Sequence, residues 1–205
     1  MLTIALDAGH PSRPGDQGCV VNGLVESDYT IAFCRFLAAR IRHSAEPFRP
    51  VLIRERNDEV LPLAERGARS HQCAADLVLC VHVNSYTTDQ LHGAMAFYWP
   101  GDKMGCELGD TWLHATLPPL AVNGRRAIAA DPSRPGDEWL RRARAVLEPH
   151  EARAVLLELG FASNPTDHEA LQDPATQSAM VASVMVMLAR YRQIEERACW
   201  PVIEI

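Results

Sequence analysis

Five short apolar runs are spaced along the chain, and the stretches between them carry helical rather than strand periodicity. The runs are Leu2 to Leu6, Val51 to Ile53, Leu77 to Val83 ("LVLCVHV"), Ala94 to Trp99 and Ala154 to Leu159. Their length and composition read as short buried strands. Between the first two, Tyr29, Ala32, Phe33, Phe36, Leu37 and Ile41 fall at the i, i+3, i+4, i+7 spacing of one buried helix face. A second helix is predicted over Leu61 to Cys73. A third is predicted from Pro174 to Tyr191, with Asp173 as N-cap and Pro174 at the first helical position. Strands alternating with helices specify the α/β class. The expected architecture is a single open, mostly parallel twisted sheet with helices on both faces, phosphorylase/hydrolase-like.

Residues 101–150 are the least legible part. One or two helices are expected there, around Cys106 to Ala115 and Glu138 to Leu147. The hexapeptide "PSRPGD" occurs at Pro11 to Asp16 and again at Pro132 to Asp137. Without flanking similarity it reads as two turns of like chemistry, not a repeat architecture. The tail "CWPVIEI", residues 199–205, is expected to dock as an extra strand or to extend away. No linker divides the chain, so residues 1–205 are read as one domain.

The balance of charge excludes some partners. A net charge of -6 argues against nucleic acid, whose binders are normally basic. No apolar run reaches the length of a membrane span. The first residues lead straight into a strand without a signal peptide, so the expected location on synthesis is the cytoplasm. Six scattered cysteines with no C-x-x-C pair fit reduced thiols better than a disulfide framework.

In an open α/β sheet, ligands bind at the carboxyl ends of the strands. His10 follows the first strand in "LDAGH", and His82 and then Asn84 end the third. Glu158 stands at the end of "AVLLE", and Glu26 opens the first long helix. Two histidines and a carboxylate are a common zinc set with a fourth position left open. A further carboxylate beside that position is a general base for hydrolysis. Each residue also has a plainer reading. His82 is then a hydrogen-bonded core histidine, Glu26 a complement to the helix dipole and Asn84 a strand-end cap. Glu158, inside an apolar run, needs a cation, a proton or a metal nearby. His43, His71, His92, His114, His150 and His168 read as surface or turn residues.

The ordered segments resemble the zinc-dependent N-acetylmuramoyl-L-alanine amidases, the family of bacterial cell-separation amidases and many phage endolysins. "LDAGH" resembles the opening D-x-G-H motif, and "GLVESDYTIAFCRFLAARI" resembles the glutamate-bearing helix start. "RERNDEVLPLAERGARS" resembles the R…D…L…R segment, with Arg66 at the recurrent arginine. "ADLVLCVHVNS", "GAMAFYW" and "AVLLELGFASNP" resemble the next two strands and the closing V-L-x-E-x-G-F-x-S-N motif. Cys80 departs from the usual serine, and Ser70-His71 from a usual Ala-Asn pair; neither removes a ligand.

The resemblance implies that His10, Glu26 and His82 bind one zinc ion. Glu158 would activate water and later protonate the leaving amine. Asn84 and Arg66 would be positioning residues, with strand capping and structural bonding to carboxylates or carbonyls as their alternatives. The substrate implied is peptidoglycan, cut between N-acetylmuramic acid and L-alanine. The source implied is a phage or prophage endolysin or a bacterial cell-wall amidase, acting on the wall after release and without a separate wall-binding domain. Two alternatives stand beside this: a zinc peptidase or amidohydrolase acting on another amide, and a non-catalytic wall-binding domain.

Overall fold

A computed structural model describes residues 1–122, 124–131, 133 and 137–198. Its frame is a six-stranded sheet in the order β4-β1-β5-β8-β6-β7. The strands are β1 (Leu2–Ala8), β4 (Phe48–Leu52), β5 (Leu77–Asn84), β6 (Met95–Tyr98), β7 (Ile128–Ala129) and β8 (Arg153–Phe161). The four strands β4, β1, β5 and β8 pair in parallel, and β6 joins β8 antiparallel. The sheet is therefore mostly parallel, as the apolar runs imply.

Alternate residues of the central strands feed two apolar layers. Ile4, Leu6 and Ala8 of β1 and Leu77, Leu79 and Val81 of β5 pack with α1 (Glu26–Arg42), α3 (Lys103–Ala115) and α6 (Pro174–Ala198). Ala5, Val78, Cys80 and Leu156 face the other way, toward Ile53, Leu61 and α4 (Glu138–Leu147). Burial on both faces explains why these strands read as unbroken apolar runs. Helix α2 (Leu63–Gln72) lies on this second side. A side chain at Gly67 within it would collide with the Pro149 carbonyl, so α2 packs directly against the turn after α4.

Several expectations need adjustment. The second strand begins at Phe48 rather than Val51, because Phe48 to Leu52 match Leu2 to Leu6 in register. Three elements were not legible: the hairpin β2–β3 (Val20–Val21 and Leu24–Val25), β7, and α5 (Pro165–Gln172). The hairpin turns at Asn22-Gly23, both with positive φ (46° and 88°), as a tight two-residue β-turn requires. Helix α6 runs on past Tyr191, through Ala198. Cys199, the segment "CWPVIEI" and most of the second "PSRPGD" lie outside the described residues.

Candidate metal centre

The chain brings His10, Glu26 and His82 together at the carboxyl ends of β1 and β5, although 72 residues separate His10 from His82. Their potential ligand atoms all lie within 4.8 Å of one another. Glu26 Oε1 is 3.0 Å from His82 Nδ1 and 3.6 Å from His10 Nε2. Two atoms held tetrahedrally by one zinc at about 2.0–2.1 Å stand roughly 3.3 Å apart, so these spacings suit a single ion. The rings of His10 and His82 meet edge to face, with centroids 5.1 Å apart.

Each ligand is fixed from behind. Glu26 is the first residue of α1, where its charge complements the helix dipole. Its Oε2 accepts from the Cys19 backbone N–H at 2.9 Å, and Oε1 accepts from that of Val83 at 3.1 Å. Side chains at Gly9 and Gly18 would run into the His82 ring and the Glu26 carboxylate, respectively; Gly18 also has φ of +73°. His10 itself sits at φ 51°, a left-handed conformation that costs a non-glycine residue energy. Arg54, fully buried, holds it there by donating from Nη2 to the carbonyls of Gly9 and His10. Sequence reasoning passed over Arg54; an arginine directly after a buried strand was the available signal.

Electrostatics divides the cluster. Burial opposes ionisation of Glu26, yet the hydrogen bond from His82 and the charges of both histidines hold its carboxyl below the usual range. Burial works against a charged His82 too, but its bond to Glu26 and that carboxylate's charge raise it. For His10 burial prevails over the attraction of Glu26, and its pKa is lowered. Glu26 and His82 thus each favour the other's charged form across their 3.0 Å contact.

Glu158 pairs in register with His82 across β5 and β8, beside a bulge between His82 and Asn84. Its Oε2 is buried without a hydrogen-bond partner. Burial pushes the carboxyl up to about 7; His82 counters this and Glu26 adds to it. An orphaned acid oxygen beside the His82 imidazole and the Glu26 carboxylate is what a metal and its water would satisfy.

A stability test follows for the metal-free protein. Below pH 4.5, the usual glutamate value, folded and unfolded Glu158 both carry the proton and burial adds no ionisation penalty. Between 4.5 and about 7 only the folded chain keeps it, so stability falls as pH rises. Above that, the full penalty, on the order of 3 kcal/mol, is present. Urea unfolding of Glu158→Gln against the wild type should therefore show the variant gaining relative stability from pH 4 to pH 8. A difference independent of pH would contradict the buried-acid assignment.

Asn84 and Arg66 are not in the cluster. The Asn84 side chain lies 3.8 Å from Met95 Sδ, and its carbonyl accepts from Ala162 N–H at 2.7 Å. Arg66, buried, donates from Nη1 to Asp7 Oδ1 at 2.6 Å and to the Ala8 carbonyl at 2.7 Å, and from Nε to the Leu61 carbonyl. It thereby clamps the strand end that delivers His10.

His150 requires a correction. Its side chain is 1% exposed, not at the surface, with Nε2 3.5 Å from Cys80 Sγ and 3.7 Å from Asp7 Oδ2. Ser70 Oγ lies 3.0 Å from its Nδ1. The tight packing of Gly67 on Pro149 turns this histidine inward. Asp7, Cys80 and His150 form a second group with metal-ligand spacing, but Arg66 already neutralises Asp7. Ser70 and Cys80, two of the residues that depart from the family pattern, are both neighbours of His150.

A family model described as N-acetylmuramoyl-L-alanine amidase matches residues 4–190. Among curated proteins, the chain is 29% identical over 176 residues to "Uncharacterized protein YqiI" of Bacillus subtilis, covering 82% of this chain and 74% of that one. It is 27% identical to "Probable cell wall amidase LytH" of Staphylococcus aureus, covering 92% of this chain but only 58% of the relative. Among solved structures, the fold resembles the N-acetylmuramoyl-L-alanine amidase of Clostridium difficile 630 (TM-score 0.79, 18% identity, 94% and 97% of the two chains). It also resembles the catalytic domain of CwlV from Bacillus (Paenibacillus) polymyxa (TM-score 0.76, 20% identity, 94% and 99%). At such identities the structural likeness establishes the fold.

Proposed function

Because the chain belongs to the N-acetylmuramoyl-L-alanine amidase family, we propose that it cuts peptidoglycan between N-acetylmuramic acid and L-alanine, using zinc held by His10, Glu26 and His82. The observation that carries this reading is the convergence of those three residues beside the unpartnered Glu158 oxygen. Zinc held there would supply Lewis-acid polarisation of the scissile carbonyl and of a water molecule. Glu158 takes a proton from water as the oxygen adds to the lactyl carbonyl carbon. It then gives that proton to the alanine nitrogen as the C–N bond breaks, leaving a lactyl carboxylic acid, which ionises to solvent, and a free amine. A carboxyl raised to about 7 can serve in both directions at neutral pH. Arg66 and Arg54 position the turn that carries His10, and Asn84 positions Met95 next to Glu158.

The free thiols of Cys19, Cys34, Cys73, Cys80 and Cys106 support folding in a reducing cytoplasm and action on the wall after release, as an endolysin would act. Mass spectrometry of digested sacculi tests the reaction. A new N-terminal L-alanine with intact glycan is the expected product. A newly exposed internal stem residue would assign a peptidase instead, and undigested sacculi would leave a wall-binding role.

A further inference from the structure

A cleft of about 1200 Å³ lies between the segment after β5 and the start of α4. None of His10, Glu26, His82 or Glu158 lines it. Met95 connects the two: it lines the cleft, pairs in register with Glu158 and receives the Asn84 amide. The cleft and the acid thus share one sheet face and one strand pair. Its most prominent groups are aromatic. Tyr86, 47% exposed, meets Trp139 edge to face at 5.9 Å, and Trp139 leans on buried Phe161 at 5.6 Å.

We propose that Tyr86 and Trp139 form a sugar-binding platform that seats the glycan strand beside the scissile muramoyl residue; this rests on the amidase reading above. The charges around the cleft favour a neutral sugar over the charged stem peptide. Asp137 caps α4 by accepting from the N–H groups of Trp139 and Leu140. Glu138 pairs with Arg142 at 2.9 Å and with Arg141. Among the described lining residues, what remains is ring and aliphatic surface, the hydroxyls of Ser85, Thr87 and Thr88 and the amide of Gln90. Aromatic rings with a few polar groups suit a polyhydroxylated ring that is apolar on its faces and polar at its edge.

The platform is held rigid before any ligand arrives. The Tyr86 backbone N–H donates to Ser163 Oγ at 3.0 Å, and Asn164 Nδ2 donates to the Asp89 carbonyl at 2.6 Å. The "ASN" turn after β8 thus ties down the loop that carries Tyr86. Such preorganisation lowers the ordering cost of binding.

The test compares wild type, Tyr86→Ala and Trp139→Phe, all zinc-loaded and checked for wild-type melting. Peptide-free glycan strands are titrated calorimetrically, and kcat/KM is measured on soluble muramoyl-peptides bearing one sugar or an extended glycan. Tyr86→Ala should weaken glycan binding about tenfold and reduce the preference for the extended substrate by a similar factor. Trp139→Phe, which keeps a ring, should lose less. Equal losses on both substrates, or losses that track stem-peptide length, would overturn the assignment. So would wild-type protein that cleaves its substrate yet does not bind peptide-free glycan. Tyr86-dependent glycan binding without amide cleavage would instead uphold the platform and defeat the amidase reading.

Discussion

Glu158→Gln is expected to lower kcat for muramoyl–alanine hydrolysis by about 10²–10⁴, the usual contribution of a positioned acid–base group. The substitution keeps the size and the hydrogen-bonding edge of the side chain but cannot accept and return a proton. Because the proton moves in the transition state, kcat and kcat/KM should fall together while KM changes little. Zinc content should stay at the wild-type level, since Glu158 is not one of the three clustered residues. The fold should hold or improve at neutral pH, because the variant removes a buried, unpartnered acid oxygen. Steady-state kinetics on a defined muramoyl-peptide with parallel metal analysis reads both quantities. A variant retaining more than about a tenth of wild-type kcat would remove Glu158 from the proton transfer.

The second large effect comes from dismantling the cluster. His82→Ala deletes one of three converging groups and leaves the Glu26 carboxylate with the backbone donors of Cys19 and Val83 and with His10 at 3.6 Å. Partners that merely orient a metal ligand already contribute about 10–100-fold to affinity, so loss of a direct ligand should cost at least about 100-fold. Hydrolysis should then disappear at ordinary zinc concentrations, and Glu26→Ala should behave alike. Competition with a chromophoric chelator measures the affinity. Near-wild-type zinc binding in both variants would mean that the ion sits elsewhere.

How much of this was legible in the sequence depended on the range of the interactions involved. The central strands were readable because burial on both faces forces an apolar run that no other element of that length needs. His10, His82 and Glu158 stood out as polar residues toward the carboxyl ends of apolar strands, the place an α/β sheet reserves for ligands, and Glu26 as a carboxylate at a helix start; the family resemblance then gave all four their roles. The hairpin β2–β3 was missed although "VVNGLV" carries the Asn-Gly signal; two-residue strands leave too little alternation to count. Helix α5 spans only eight residues and presents a short apolar stripe. His150 was misread for a different reason. Its immediate neighbours Glu148, Pro149 and Glu151 read as an exposed turn, and nothing local shows that Pro149 packs on Gly67, some 80 residues away, with the ring facing Asp7. Arg54 was overlooked because its partners are backbone carbonyls, which leave no side-chain pattern to match.

Zinc X-ray absorption spectroscopy on the purified, zinc-loaded protein tests the central claim most directly, because the two clusters differ in ligand atoms. His10, Glu26 and His82 offer only nitrogen and oxygen, whereas Asp7, Cys80 and His150 offer a sulfur. The account predicts one zinc per chain, with a nitrogen/oxygen shell near about 2.0–2.1 Å, the outer scattering of two imidazoles and no sulfur. A sulfur shell near about 2.3 Å, or an imidazole signal unchanged in His82→Ala, would contradict it.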